Sequence, residues 1–354
     1  MVRIGLDGGQ GTFKVVVSIF KTDYDPEVTF KLKERPDNRL TGSKRLLVMA
    51  LAEDMQEIYQ NLQIVVTKLK LNDLQCSLAC DLKLINAILG ISSHSGKYAC
   101  AYCDGEMSLQ LRELRTFGIL KLWYQKFKEA GLDMTKMQHF KNQINESLLT
   151  GAEDTTILSF LPPPELHLLM GLVNWVLELL YKVVSKEELH ERMQKKGISI
   201  RGYQGGGLDG GNSHLFLKHL QYISEETPSQ AQPLFDVLAK FMVVVQNCFS
   251  LELSTNFKED FKDFTNSVEN LIKYSNKTLK IPLKPTWKVH ILVTHVVTFL
   301  EEKKVGLGIY CEQTSEAAHS VMKPTIARFK RKADHELHGL RMLRAASAFS
   351  SQNI

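Results

Sequence analysis

Two cysteines and two histidines occur in pairs whose spacings suit a shared zinc ion. Cys100 and Cys103 enclose two residues, and His290 and His295 enclose four. Two thiolates with the CxxC spacing can reach one tetrahedral zinc, which then needs two further nitrogen or sulfur ligands, and the histidine spacing occurs in Cys2His2 sites. Residues five apart on an ideal helix point about 140° apart, so one histidine is expected at a helix end or distortion. The alternative is that all four are ordinary core side chains.

Three carboxylates form a second candidate site, for magnesium. Asp7 and Asp81 each follow an apolar run that predicts a strand, and Glu316 precedes a basic stretch, with Glu312 one helical turn away as an alternative. Such carboxylates can bind two Mg²⁺ ions about 4 Å apart and activate water for attack on a phosphodiester. Each also has a structural interpretation, as a solvent-facing hairpin residue for Asp7, a helix N-cap for Asp81 and a first-turn glutamate for Glu316.

The glycine-rich segment LDGGQGTFK, residues 6–14, has three interpretations. It resembles the first phosphate-binding turn of sugar kinases and actin-like ATPases, it could present a metal-binding aspartate at a strand end, or it is a plain β-hairpin. An ATPase of that class needs a second Asp-Gly-Gly hairpin late in the chain. Asp209-Gly210-Gly211 is the candidate, but it leads into a predicted helix instead of a strand.

The composition limits the classes of protein to which the chain can belong. Its 354 residues are 44% hydrophobic and 23% charged, which is typical of globular domains. No apolar run approaches the ~18 residues of a membrane span, and the N-terminus has no secretory leader, so we expect no membrane partner and no secretion. Six cysteines are too few for a disulfide scaffold and favour a reducing compartment. The net charge of +5 is compatible with a nucleic-acid partner.

Apolar periodicity predicts an α/β fold at the start of the chain. Strands are predicted over 1–6, 12–20, 44–51 and 74–80. One helix is expected to follow Asp54 as its N-cap, and another to start after Asp81 and stop at Gly90. From about residue 105 to 285 the apolar spacing is helical, and helical patterns continue towards the C-terminus.

In order and spacing, the zinc candidates and the three carboxylates resemble the catalytic core of the recombination-activating recombinase of vertebrate immunity and the Transib transposases. More broadly they are similar to DDE transposases with a CxxC…H…H motif, such as the hAT group. Asp81 lies 19 positions before Cys100, and Glu316 lies 21 after His295, which suits that family's pattern. The resemblance covers almost the whole chain.

The resemblance implies an α/β fold with a ribonuclease-H-like mixed sheet, interrupted by a large, mainly helical insertion. The first part of the core would occupy 1–103, the insertion 104–285, and the completing part, with the zinc histidines, the glutamate helix and basic helices, 286–354. The zinc would be purely structural. Family members carry an N-terminal DNA-binding region, and no such region precedes Asp7 in this sequence. We therefore expect a fragment or a domesticated copy of a transposable element.

The resemblance also implies an activity and its partners. Asp7, Asp81 and Glu316 would be the catalytic ligands of Mg²⁺ or Mn²⁺ in DNA cleavage and strand transfer in the nucleus, and family members act as homodimers on paired DNA ends. The expected DNA contacts are Arg328, Lys330, Arg331, Lys332, Gly206 and Asn212. The alternatives are a solvated helix face for the basic run and a loop in which Asn212 or Ser213 caps the next helix. A non-catalytic scaffold that binds DNA or protein would keep the zinc and the fold but not cleave.

Overall fold

The described residues form an α/β fold that contains one mixed β-sheet. The computed structural model describes residues 2–9, 12–19, 47–53, 55–74, 76–92, 96–200 and 207–311, with positions 340, 341 and 344. The chain divides into two compact units. The first comprises Met1–Ser93, Thr116–Pro162 and Tyr310–Ile354, and the second His94–Arg115 and Pro163–Ile309. The three-part division at 103 and 285 stays a prediction.

The four-stranded sheet lies in the first unit. Its strands are β1 (Val2–Gly9), β2 (Thr12–Ile19), β3 (Leu47–Glu53) and β4 (Ser77–Ala79). Their order is β3-β2-β1-β4. β1 and β2 form an antiparallel hairpin, β3 is antiparallel to β2 with an irregularity between Val15 and Val16, and β4 runs parallel to β1.

Both faces of the β1–β2 hairpin are buried. On one face, Ile4 and Leu6 alternate along β1 and Val15 lies opposite Leu6 on β2, all at 2% exposure or less. This alternation follows from the two-residue period of a strand. On the other face, the charged side chains of Arg3 and Lys14 are also buried. The central strands are therefore covered on both sides.

The helices of the first unit are short. They are α1 (Tyr59–Lys68), α2 (Leu82–Ile88), α3 (Phe117–Glu129) and α4 (Ile157–Phe160), with 3-10 turns at Leu71–Asp73 and Met134–Phe140. α1 packs on α2, and α3 packs on the second 3-10 turn. Thr116 caps α3 by accepting a hydrogen bond from the backbone N–H of Ile119 at 3.2 Å.

Two predicted boundaries in this unit are wrong and one is confirmed. The first strand does not end before Asp7, because the hairpin continues its pairing to Gly9 opposite Thr12. The first helix begins at Tyr59, later than the pattern after Asp54 predicts, and residue 54 lies outside the described ranges. α2 ends as predicted, with Gly90 just beyond it at φ +72°.

The second unit is helical. Its helices are α5 (Glu165–Leu180), α6 (Lys186–Lys195), α7 (Gly210–Lys218), α8 (Leu220–Ser224), α9 (Gln232–Cys248), α10 (Phe257–Tyr274), α11 (Trp287–Thr294) and α12 (Val296–Lys303). α5 is apolar around most of its circumference and contacts α7, α9 and α11. α9 and α10 pack through the rings of Phe241 and Phe264, whose centroids lie 5.2 Å apart. In the described ranges, no helix has the length and apolar character needed to cross a membrane.

Candidate metal centre

The two cysteines and two histidines of the predicted zinc site meet in the second unit. Cys100, Cys103, His290 and His295 each have 0% exposure, and their potential ligand atoms lie within 4.8 Å of one another. Across the described ranges, no other group of three or more cysteine, histidine or acidic side chains is arranged in this way. The chain therefore has a buried Cys2His2 cluster that could bind zinc, as the two spacings predict.

The distances within this cluster match those between zinc ligands. Cys100 Sγ lies 3.4 Å from His295 Nε2, and Cys103 Sγ lies 3.5 Å from His290 Nε2. The two Nε2 atoms are 3.3 Å apart. A tetrahedral zinc with its usual bond lengths separates sulfur from nitrogen by about 3.6 Å and nitrogen from nitrogen by about 3.3 Å. Both the donor types and their spacing therefore fit zinc.

The cysteine pair lies on a loop that is closed by backbone contacts. The N–H of Tyr102 donates to Cys100 Sγ at 3.4 Å, and Cys103 forms an isolated antiparallel bridge with Leu114. The N–H of Arg115 donates to the carbonyl of Tyr102 at 2.8 Å. The chain thus returns beside its own CxxC segment, which fixes the directions of the two thiols.

The histidine pair occupies an interruption between two helices. His290 lies inside α11, whereas His295 is at once the C-cap of α11 and the residue before α12. The hydroxyl of Thr294 donates to the carbonyl of His290 at 2.6 Å, next to the interruption. The prediction that one histidine lies at a helix end is confirmed, and the interruption at His295 explains how both Nε2 atoms reach one point.

A second contact sets the tautomer of one histidine. His290 Nδ1 lies 2.6 Å from the carbonyl oxygen of Ser108, which accepts a hydrogen bond from Nδ1–H and leaves Nε2 as the metal-binding nitrogen. The ring of His295 packs against Tyr102, with centroids 5.6 Å apart. His295 Nδ1 is buried and has no hydrogen-bond partner among the residues that the structure describes. The two imidazoles are therefore oriented by different means.

The protonation states of the two thiols differ before metal binds. A hydrogen bond with Cys100 is the main cause that lowers the pKa of Cys103 to about 2, and hydrogen bonds with His290 and His295 act in the same direction. Burial raises the pKa of the Cys100 thiol well above its usual value, and the Cys103 thiolate acts in the same direction. Burial lowers the pKa of His295, which favours the neutral imidazole. The pKa shifts thus favour ionisation of Cys103 and protonation of Cys100.

Asp7 lies within β1, opposite Lys14 of β2. The Lys14 side chain is 1% exposed and its Nζ lies 3.9 Å from Asp7 Oδ2, and the Asp7 side chain is 18% exposed. The interpretation of Asp7 as a solvent-facing hairpin residue is therefore wrong. Its carboxylate is mostly buried beside a buried cation.

Asp81 follows β4 and caps α2. Its Oδ1 accepts a hydrogen bond from the backbone N–H of Leu84 at 2.7 Å, which is the N-cap geometry. Because the parallel register pairs Arg3 with Ser77, Asp7 and Asp81 lie at corresponding positions, at the same end of two adjacent strands. Asp81 therefore has the N-cap role of its structural interpretation. Asp7 lies at the same end of the sheet.

The other predicted site residues fall mainly on parts of the chain that are not described. Those outside the described residues are Glu312, Glu316, Arg328, Lys330, Arg331, Lys332 and Gly206. Asn212 is described and is 8% exposed. Its amide donates to Asp209 Oδ1, and its Oδ1 accepts from the N–H of Ser199, both at 2.8 Å. The prediction that Asn212 or Ser213 caps the next helix is wrong, because Asp209 accepts the capping hydrogen bond from the N–H of Asn212.

Sequence reasoning missed three residues near the candidate sites. The Arg115 side chain donates to the carbonyls of Cys100 and Cys103, and the carbonyl of Ser108 accepts a hydrogen bond from His290. The spacing of residues along the sequence does not predict such contacts. Glu57 pairs with Lys83 of α2 at 2.7 Å and lies so close to Gly8 of β1 that a Cβ there would meet Glu57 Oε1. A third acidic side chain therefore lies against the strand that carries Asp7.

One segment of this chain matches a known protein family. Residues 40–118 match a family described as a domain of unknown function (DUF8703). The match covers less than a quarter of the chain and includes Asp81, Cys100, Cys103 and Arg115. No curated protein matches the sequence.

Proposed function

We propose that this chain is the zinc-stabilised core of a DDE-type transposase or recombinase, either active in metal-dependent DNA cleavage and strand transfer or domesticated from such an enzyme. The observation that carries the proposal is the meeting of Cys100 and Cys103 with His290 and His295. The resemblance to transposases with a CxxC…H…H motif requires these distant pairs to share one zinc ion. The geometry supports that requirement.

The zinc would have a structural role. Four protein ligands complete a tetrahedral site and leave no open position for substrate or water. The CxxC loop and the α11–α12 interruption would then be joined across 187 sequence positions between Cys103 and His290. Zinc held in this way would stabilise the fold because only the folded chain brings the four ligands together, so the free energy of zinc binding adds to the free energy of folding.

The sheet supports a ribonuclease-H-like core. Three antiparallel strands followed by a fourth strand parallel to the first, in the order β3-β2-β1-β4, is how a sheet of that fold begins. Asp7 on β1 and Asp81 after β4 lie at the same end of this pair of strands. Chemistry in open α/β sheets is commonly placed where strands end. The proposal is that these two carboxylates, with Glu316, form the catalytic set.

Each described carboxylate would contribute a fixed oxygen ligand. Mg²⁺ or Mn²⁺, when bound, would activate the attacking water or 3′-hydroxyl and stabilise the leaving oxygen. Asp7 is held by the pairing of β1 with β2 and by the nearby Lys14 ammonium. Asp81 is oriented by its hydrogen bond to the N–H of Leu84. DNA as the partner, the nucleus as the location and a homodimer on paired DNA ends follow from this proposal.

A non-catalytic scaffold is the second candidate, and specific contacts favour it. Asp81 caps α2 and Asp7 lies beside a buried lysine, so both carboxylates have structural roles that would survive the loss of catalysis. A domesticated chain of this kind would bind zinc and DNA or protein without cutting. The ATPase interpretation has less support, because Asp209 begins helix α7 instead of a second hairpin.

Three measurements test the proposal. Elemental analysis of the purified chain should give one zinc per chain, and the absence of zinc would overturn the proposed architecture. A supercoiled plasmid should be nicked in Mg²⁺ or Mn²⁺ if the chain is active. Zinc at one per chain without nicking in either metal would favour the scaffold. Thermal stabilisation by micromolar ATP would instead favour the ATPase.

A further inference from the structure

Arg115 places a guanidinium inside the loop that carries the two zinc-site cysteines. The side chain is fully buried, at 0% exposure. Its Nε donates to the carbonyl of Cys100 at 3.1 Å and to that of Cys103 at 2.9 Å. Its Nη2 donates to the carbonyl of Tyr98 at 3.2 Å. One side chain therefore binds the backbone of both candidate ligands and of the residue that leads into them.

The backbone of Arg115 is held to the same loop. Its N–H donates to the carbonyl of Tyr102 at 2.8 Å, and the preceding residue, Leu114, pairs with Cys103. The guanidinium thus reaches the cysteines from a strand-like segment whose position is already set by two further contacts. This arrangement is rigid, because main chain and side chain of Arg115 bind the same six-residue segment.

The chemistry of arginine suits this position better than that of lysine. A guanidinium presents planar, directed donors and keeps its charge, whereas an ammonium is a compact and strongly hydrated point charge. Burying such a cation is costly unless its donors are satisfied and opposite charge lies nearby. The carbonyls of the loop accept hydrogen bonds from the guanidinium, and both cysteines beside them are thiolates when zinc is bound. The loop that binds Arg115 is therefore also the source of its countercharge.

We infer that Arg115 is a positioning residue for the metal centre, which holds Cys100 and Cys103 in their ligand geometry before the metal arrives. This inference rests on the proposed zinc site. Groups that orient metal ligands from outside the ligand set typically contribute about 10–100-fold to metal affinity. Since Arg115 touches both cysteine carbonyls, its removal should weaken zinc binding by a factor in that range.

The test compares four variants of the full chain for zinc affinity, measured by competition with a chelating dye. Arg115→Met removes the donors, and Arg115→Lys keeps a charge without the planar fork. Val268→Ala is a matched control for stability, because Val268 is a fully buried residue of α10 in the same unit. Arg192→Met is a matched control for loss of a guanidinium, because Arg192 donates to the carbonyl of Glu225 elsewhere in that unit.

Arg115→Met should lower zinc affinity about 10–100-fold, and Arg115→Lys should fall between it and the parent. Val268→Ala and Arg192→Met should leave the affinity unchanged. Cobalt substitution gives an independent readout, since the parent should show the intense visible bands of a tetrahedral site and Arg115→Lys should show weakened or shifted bands. Should Arg115→Met fail to fold, the affinity and cobalt spectrum of Arg115→Lys decide the question.

The outcomes separate this inference from the proposed function. A parent chain that binds zinc, together with Arg115 variants that bind it as tightly and give the same cobalt spectrum, would overturn the role of Arg115 and leave the zinc site intact. Equal weakening in Val268→Ala would also overturn it, because general destabilisation would then explain the effect. A parent chain that binds no zinc would overturn both.

Discussion

The Nε2 atoms of His290 and His295 lie 3.3 Å apart, although residues five apart on a continuous helix point about 140° away from each other. The chain resolves this conflict by ending α11 at Thr294 and starting α12 at Val296. His295 occupies the interruption and turns its ring towards Cys100. The break in the helix is therefore the feature that makes the histidine pair usable as a pair.

Removing the metal should destabilise the second unit. Zinc that binds only the folded chain adds about 4 kcal/mol when its free concentration is 1,000 times Kd, which corresponds to a rise of about 10 °C in Tm. Thermal unfolding with zinc and with a strong chelator measures this difference. Cys100→Ser should abolish it. Cys248→Ala, at a buried cysteine of α9, should lower both melting temperatures but keep the difference, and its loss there would contradict the assignment.

Zinc affinity should fall as the pH falls. Cys103 already carries a thiolate because its pKa is lowered, whereas Cys100 keeps its proton because burial raises its pKa. Zinc binding must therefore release the Cys100 proton, and each proton released weakens binding about tenfold per unit decrease in pH. Calorimetry in buffers of different ionisation enthalpy counts that proton. Binding without proton release near neutral pH would contradict this description of the thiols.

Asp81→Asn should separate the two roles of Asp81. Asparagine caps helices about as well as aspartate, so α2 should stay folded, whereas loss of the carboxylate should abolish nicking in Mg²⁺ and Mn²⁺ if the chain is active. The measurement is nicking of a supercoiled plasmid alongside DNA binding, which should be nearly unchanged. Asp133→Asn is a control, because Asp133 also accepts a capping hydrogen bond in the same unit, from the N–H of Thr135. Undiminished nicking by Asp81→Asn would remove the catalytic role of this residue.

Gly90→Ala should destabilise the first unit by about 1–3 kcal/mol. Gly90 has φ +72°, and an added Cβ would lie 2.2 Å from the carbonyl oxygen of Asn145, a backbone atom that cannot turn away. Gly131 is the matched control, since it has φ +82° but open space around an added Cβ. Gly131→Ala should therefore reduce the free energy of unfolding only by the strain of placing alanine at a positive φ. Denaturant unfolding of both variants measures the difference, and equal losses would show that the contact with Asn145 is unimportant.

The sequence predicted the metal centre better than it predicted the sheet. The spacings of Cys100–Cys103 and His290–His295 predicted a shared site because ligand number and tetrahedral geometry restrict spacing strongly. The boundary near Asp7 was wrong because the glycines that predict a turn also permit the hairpin to continue its pairing to Gly9. Arg115 could not be predicted, since it acts on carbonyl groups that every residue possesses.

The sites also differ in how far the structure describes them. Both halves of the Cys2His2 cluster lie within the described ranges, whereas the proposed third carboxylate, Glu316, and the basic run after it do not. Local patterns predicted α2 from Asp81 to Gly90, because a cap and a left-handed glycine act within a few residues. The placement of Asp7 and Asp81 at the same end of the sheet depends on a parallel pairing between distant segments, which periodicity does not specify.

The separation of the zinc candidates along the chain has a consequence during synthesis. Cys103 emerges from the ribosome 187 residues before His290, so a nascent chain carries only the thiol half of the site while most of the second unit is being made. A thiol pair alone cannot complete a four-ligand site. A zinc ion held by all four side chains could therefore bind only after α11 has been synthesised, and a product terminated before α11 would carry the two cysteines without their histidine partners.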